Sequence, residues 1–219
     1  MLNQQSTIYI MEKSAVITPE RNREKSKQRF LDAVGKILKT KGYAALKVND
    51  IAATAGLDKK LIYKYFGGTE QLLDAYISSQ DFWSNVKGEK VPQVINDGGK
   101  NFLTDMFLEQ FDYVYTNKEF QKVLLWRLSQ QRNSLKKLAE DQEANGEIIL
   151  QNIIDPFFGE KSEDLRAVAA ILVAGIYYLN LSTTYNGNIF CGLDIKSDHG
   201  REKIKHAISF IVDQTYENL

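Results

Sequence analysis

The chain is poor in the residues that build disulfide frameworks and metal or catalytic centres. It has one cysteine, Cys191, in 219 residues. No internal disulfide can form, and a reducing, cytoplasmic setting is expected. Its only histidines, His199 and His206, stand seven positions apart and make no metal-ligand pair with that lone cysteine. No metal site and no cofactor is expected. Neither a Gly-x-Ser-x-Gly nor a dinucleotide-binding glycine fingerprint occurs, so an enzyme is not expected. Gly67-Gly68-Thr69 could cradle an anion, but no strand precedes it and no Lys-Ser/Thr follows; two glycines closing a helix explain it better. With three prolines, Pro19, Pro92 and Pro156, and no Val/Thr-rich alternation, strands are not expected and an all-α chain is. The first residues, MLNQQSTIYIMEKSAVIT, lack a basic start followed by a long apolar run and read as a loosely held arm.

What is present is a core-forming composition with segregated charge. Hydrophobic residues make up 43% and charged ones 26%, with a formal net charge of zero. Residues 1–66 hold 13 basic and 6 acidic residues, and the remainder holds 15 and 22. A basic first third on an acidic remainder suggests that one part meets a polyanion and the other does not. From Ala167 to Leu193, 27 positions carry no charge. Only Ala167 to Leu181 is strongly apolar, which is short for a bilayer, so a helix buried within the protein is expected and no membrane partner.

Thr18-Pro19-Glu20 is a helix start, and Phe30, Ala33, Val34, Ile37 and Leu38 follow helical spacing to a stop near Gly42. Val48, Ile51, Ala52 and Ala55 make a short second stripe ended by Gly56. Asp58 can cap a third helix with Ile62 inward, and Thr69 a fourth that runs to about Trp83. A connection is expected in NVKGEKVPQVINDGGKN. Further helices are expected at 101–117, 118–131, 134–154, 163–185 and 200–218, with Pro156 separating the third of these from the fourth. That makes about nine helices. NGNIFCGLDIKSDHG reads as a loop. The expected organisation is an arm at 1–18, a three-helix helix-turn-helix domain at 19–67, and a helical domain at 68–219.

Two short helices joined at a glycine suit a helix-turn-helix, whose second helix can enter the major groove of DNA. Small Ala52 and Ala55 permit close approach, and Gly56 permits the reversal. Lys59, Lys60 and Leu61 would face base edges, and Tyr63, Lys64 and Tyr65 phosphates. The alternative at this point is a plain helical hairpin with a solvated basic face.

These residues resemble the TetR family of bacterial regulators. The likeness rests on Gly42-Tyr43, Ile51-Ala52, Ala55-Gly56-Leu57-Asp58, Ile62-Tyr63-Lys64-Tyr65-Phe66 and Glu70-Gln71-Leu72, and covers about residues 20–75. Lys47 stands where the family usually has a capping threonine, Thr69 where it has a phosphate-gripping lysine, and Asp58 where it has a serine. The resemblance implies a homodimeric transcriptional regulator, usually a repressor, with a near-palindromic operator and a C-terminal domain for ligand binding and dimerisation. Its DNA-binding set here is Lys47, Asp58, Lys59, Lys60, Leu61, Tyr63, Lys64, Tyr65 and Thr69. It further implies that the last two helices pair with those of a second subunit, through the thin stretch at Ala169, Ala170, Ala174 and Gly175 and the stripe Ile204, Ile208, Ile211 and Val212; an intrachain core is the alternative.

A small, mostly apolar effector is expected among Phe102, Met106, Phe107, Phe111, Trp126, Arg127, Tyr177 and Asn180, although the same spacing also describes plain core packing. The rival readings are a DNA-binding protein of this fold without an effector, and a small-molecule carrier or enzyme that uses the C-terminal domain.

Overall fold

The computed structural model describes residues 19–79 and 96–219. Within them lie nine helices of seven residues or more and one four-residue helix. The arm, Thr18, and most of the expected connection fall outside the described residues.

The N-terminal domain comprises α1 (Pro19–Lys41), a 3-10 turn (Tyr43–Ala45), α2 (Val48–Ala55), α3 (Lys60–Phe66) and α4 (Thr69–Ser79). Proline stands at the first position of α1, where its missing N–H costs nothing. Phe30, Val34 and Leu38 of α1 are fully buried, with Ile51, Ile62 and Leu72 from the other three helices. Phe30 meets Phe66 edge to face, with ring centroids 6.2 Å apart. Each such side chain contributes roughly 1.5–3 kcal/mol by leaving water, and the spacing of the apolar stripes decides which face turns inward.

The C-terminal domain follows with α5 (Lys100–Thr116), α6 (Lys118–Ser129), α7 (Asn133–Ile149), α8 (Asp155–Phe158), α9 (Ser162–Tyr185) and α10 (Asp198–Asn218). Helix α5 packs between α9 and α10, while α1 rests on α6 and α4 on α7. The buried residues of both domains form one continuous apolar cluster.

Five details depart from the sequence reading. Pro156 does not end a helix: a π-helical turn, Leu150–Ile154, carries the chain into α8 with Pro156 at its start, and the break comes at Gly159 (φ 57°). Thr69 is the first helical residue of α4 rather than its cap, and Leu72 N–H bonds to the Gly68 carbonyl. The expected loop contains a two-stranded antiparallel hairpin, β1 (Ile189–Phe190) with β2 (Leu193–Asp194), in which Ile189 opposes Asp194. Helix α10 begins two residues early, at Asp198, because the Ser197 hydroxyl accepts from the Gly200 amide and caps it.

The fifth concerns the uncharged helix. By length and composition, the helical run that contains α9 could cross a membrane, yet only 28% of its most apolar window is buried within the chain. Ile171 (73% exposed) and Tyr178 face outward, as do Phe210 and Ile211 of α10. The stripe on α10 is therefore divided: Ile208 and Val212 lie in the chain's own core, and Ile204 packs on its edge. Sequence spacing locates such a stripe but cannot say where the core stops.

Candidate nucleic-acid interface

The turn between α2 and α3 is built by its backbone. Gly56 adopts the left-handed conformation (φ 62°), Leu57 N–H donates to Ala52 O, and Gly56 N–H to Ala53 O. This closes the last carbonyls of α2 while reversing the chain. Buried Ala52 and Ala55 leave room for the reversal. From α1, Arg29 Nη2 donates to Ala55 O at 2.6 Å and to Gly56 O at 3.3 Å. A Cβ on Gly56 would stand 3.0 Å from that nitrogen, so the glycine serves both the backbone and the arginine.

Asp58 caps α3 as expected: its Oδ1 accepts from the Lys60 amide at 2.8 Å. Lys59, Lys60, Tyr63 and Lys64 are exposed on the side away from buried Ile62. The Lys59 ammonium reaches Asn49 Oδ1 of α2 at 3.2 Å, which joins the two helices across the exposed face. Lys47 is also exposed, just before α2, and no side chain caps that helix. Three expected contacts are less free. Leu61 is half-buried against the core. Tyr65 is half-buried too, with the Arg23 guanidinium 5.8 Å from its ring centre and the Lys64 ammonium 6.0 Å. Thr69 is half-buried at the start of α4. The result is one exposed surface that presents a lysine-rich, tyrosine-bearing helix. Lysines there can neutralise phosphates and donate to guanine acceptors.

Behind this surface, α4 is tied to the corner between α6 and α7. Arg132 donates to Asp74 Oδ1 (2.8 Å), Glu70 Oε2 (2.7 Å) and the Glu70 carbonyl (2.7 Å). Ser134 donates to the same Asp74 carboxylate. The Tyr76 hydroxyl donates to Glu119 of α6, and a Cβ on Gly35 of α1 would meet that carboxylate at 2.7 Å. Tyr43 stacks on Trp126, with centroids 5.9 Å apart and planes within 4°. None of Arg29, Tyr43, Glu119 or Arg132 was expected at a functional position. Each contacts a segment distant in sequence, so no local pattern marks it.

The expected effector residues separate into two groups. Trp126 is 1% exposed and faces the first domain. Phe107 and Phe111 are core, and Phe102 and Met106 pack at its edge. Asn180, wholly buried, donates to the Phe111 and Ile176 carbonyls and accepts from Arg201. The Arg201 guanidinium lies between the Phe111 and Tyr115 rings and pairs with Asp112 at 2.8 Å. These residues hold α5, α9 and α10 together.

Arg127 and Tyr177 form the second group, with two glutamines the sequence reading missed. Gln110 Nε2 donates to the Tyr177 hydroxyl at 2.8 Å, and Arg127 Nη1 donates to Gln142 Oε1 at 2.9 Å. Burial drives the Tyr177 pKa up to about 12, although nearby Arg127 and the Gln110 bond pull the other way. The signal for the glutamines was available: Gln110 interrupts the inward stripe Leu103, Phe107, Phe111, Val114. A separate small apolar crevice between α5, α9 and α10, with a volume of about 10 Å³, is lined by Leu103, Phe107 and Leu172 among others. Among the described residues no cluster of His, Cys, Asp and Glu could hold a metal ion.

The fold and this exposed helix define a helix-turn-helix DNA-binding protein. Residues 30–76 match the family model for bacterial regulatory proteins of the tetR family. The N-terminal domain is thus a TetR-family DNA-binding domain. No curated protein matches it in sequence. Solved structures do match in fold. One, classed with the TetR-family regulators of Rhodococcus sp., is 18% identical, with 87% of this chain and 98% of that one covered and a TM-score of 0.61. FadR of Bacillus subtilis, in complex with stearoyl-CoA, is 17% identical over 84% and 96%, with a TM-score of 0.57. NalD of Pseudomonas aeruginosa, the secondary repressor of the MexAB-OprM multidrug efflux pump, is 15% identical over 89% and 96%, with a TM-score of 0.57.

Proposed function

We propose that the protein is a cytoplasmic repressor that binds a near-palindromic operator as a homodimer and leaves it when a small, mostly apolar molecule occupies the C-terminal domain. Lys47, Lys59, Lys60, Tyr63 and Lys64 form the DNA face, with Asp58 capping the helix they stand on. Leu61, Tyr65 and Thr69 border it. The observation that carries the reading is the fastening of α4 to the α6–α7 corner by Arg132. Helix α4 follows the recognition helix directly, so a shift of that corner moves the DNA-binding surface. A ligand acts this way only by binding the DNA-incompetent arrangement more tightly. The stearoyl-CoA bound to FadR supports a mostly apolar effector within this fold. The uncovered apolar residues of α9 and α10 support a second copy on that face.

Selecting genomic fragments on the immobilised protein yields the operator. Titrating it with candidate effectors then tests release. Operator binding must weaken effector binding by the factor with which effector weakens operator binding. Equal effector affinity with and without operator would favour a DNA-binding protein that has no effector. Retention of a small-molecule activity after the basic face is neutralised, with no fragment selected, would favour a carrier or enzyme.

A further inference from the structure

Four arginines lie beyond residue 100: Arg127, Arg132, Arg166 and Arg201. Three are paired with carboxylates, Arg132 with Glu70 and Asp74, Arg166 with Glu147 and Asp155, and Arg201 with Asp112. Arg127 has no ion pair among the described residues. It is half-buried, and the one acceptor it meets is the neutral Gln142 Oε1. A half-buried guanidinium is partly desolvated, so an anion brought to it gains a charge-assisted bond.

Its surroundings offer further donors. The Gln142 amide nitrogen is shut off from solvent and has no hydrogen-bond partner among the described residues. The Tyr177 hydroxyl accepts from Gln110, and among the described residues no acceptor takes its own proton. Glu143 lies near enough to act on Tyr177 but forms no ion pair with Arg127. The donors come from four helices: Gln110 on α5, Arg127 on α6, Gln142 on α7 and Tyr177 on α9. Phe120 adds an aromatic wall, 6.0 Å from the Tyr177 ring and nearly perpendicular to it. Arg127 also lines an open cleft at the α6–α7 corner, where its neighbours Arg132 and Lys136 are already paired. Arg127 thus belongs both to the donor cluster and to the lining of this cleft.

We infer that this cluster is a subsite for an organic carboxylate, with Arg127 holding the carboxylate, Gln142 and Tyr177 donating to it, and the apolar body lying against Phe120. The inference rests on the effector reading above and gives the effector a chemical class. A carboxylate supplies the acceptors that these donors lack, and charge-assisted bonds to arginine are the strong ones. An amine or a purely apolar molecule would leave the guanidinium without a counter-ion.

The test uses the full-length protein and matched probes: hexanoate, decanoate and benzoate against hexanol, decanol and benzyl alcohol. Binding is read by calorimetry, in the parent protein and in Arg127→Gln and Tyr177→Phe. At least one carboxylate should bind about tenfold more tightly than its alcohol, as expected for one charge-assisted bond. Arg127→Gln should abolish that preference and Tyr177→Phe should reduce it, with helical content unchanged by circular dichroism. The inference is overturned if no carboxylate in the series binds, if the alcohols bind as well, or if Arg127→Gln keeps the preference. If Arg127→Gln does not fold, the same criterion passes to Tyr177→Phe. Operator release is measured separately. A carboxylate that binds with the expected preference yet leaves the operator complex intact would establish the subsite and remove the effector reading.

Discussion

At Gly56 the absence of a Cβ lets Arg29 bond the end of α2 while the chain turns toward the recognition helix. Gly56→Ala should cost about 1–2 kcal/mol, because the left-handed conformation penalises a side chain and the new methyl crowds Arg29. Its melting temperature should fall, and operator affinity should fall with it. Arg29→Ala should lose the same anchor without backbone strain, so a smaller loss of stability is expected. On the DNA face, Lys60→Ala and Tyr63→Ala should weaken operator binding and leave melting temperature nearly unchanged, since both side chains are exposed. A lost phosphate contact also lowers the slope of log affinity against log salt by about one unit. Operator titrations at several salt concentrations check both; unchanged binding by the two variants would remove α3 as the reading element. The sequence showed these lysines plainly, because their alternation with Ile62 fixes which side is wet. It could not show Leu61 and Tyr65 half-covered, since their cover comes from the rest of the domain core.

Helix α4 carries two loads, an apolar face in the N-terminal core and a carboxylate pair facing Arg132. Arg132→Ala should destabilise the chain by about 1–2 kcal/mol, a value kept low because Glu70 and Asp74 are well exposed. Its stronger effect should be on communication: effector should still bind while operator release is blunted, as read by comparing effector affinity with and without DNA. A second clasp joins α5 to α10. Burial alone would raise the Asp112 pKa, but the bonds from Lys205 and Arg201 outweigh it and hold the carboxyl below its ordinary value. A depressed carboxylate pKa gives stability that is present above the unfolded value, about 3.9, and is lost as pH falls through the folded one. Asp112→Asn should therefore lower the melting temperature at neutral pH and shrink the loss seen on acidification below about pH 4. Helix positions were legible because apolar periodicity and caps are local. The π-helical turn around 150–154 and the β1–β2 hairpin were not, because each depends on how α7 and α9 are steered by their neighbours.

For the whole molecule, the basic and acidic division of the chain follows its division of labour, and this was visible in the composition alone. The uncovered apolar surface was less visible. Ile208 looked like a contact residue and lies in the core, so Ile208→Asp should bury an unpaired carboxylate and unfold the chain, costing roughly 3–5 kcal/mol. Ile171→Asp and Phe210→Asp alter exposed positions. They should leave the fold intact and convert a dimer to a monomer in light scattering, with loss of tight operator binding, since half-sites about 34–36 Å apart need two linked recognition helices. A parent protein that scatters as a monomer would sink the paired reading. On the paired reading, the uncovered stretch of α9 around Ile171 would also make the protein's durability a matter of abundance. When a second copy supplies part of the apolar cover, the folded form is favoured by mass action. Melting temperature should climb with protein concentration in the parent and stay flat in Phe210→Asp. In a cell, newly made copies would then be most vulnerable to proteases while scarce. Repression would set in steeply with dosage, as a threshold fixed by subunit encounter.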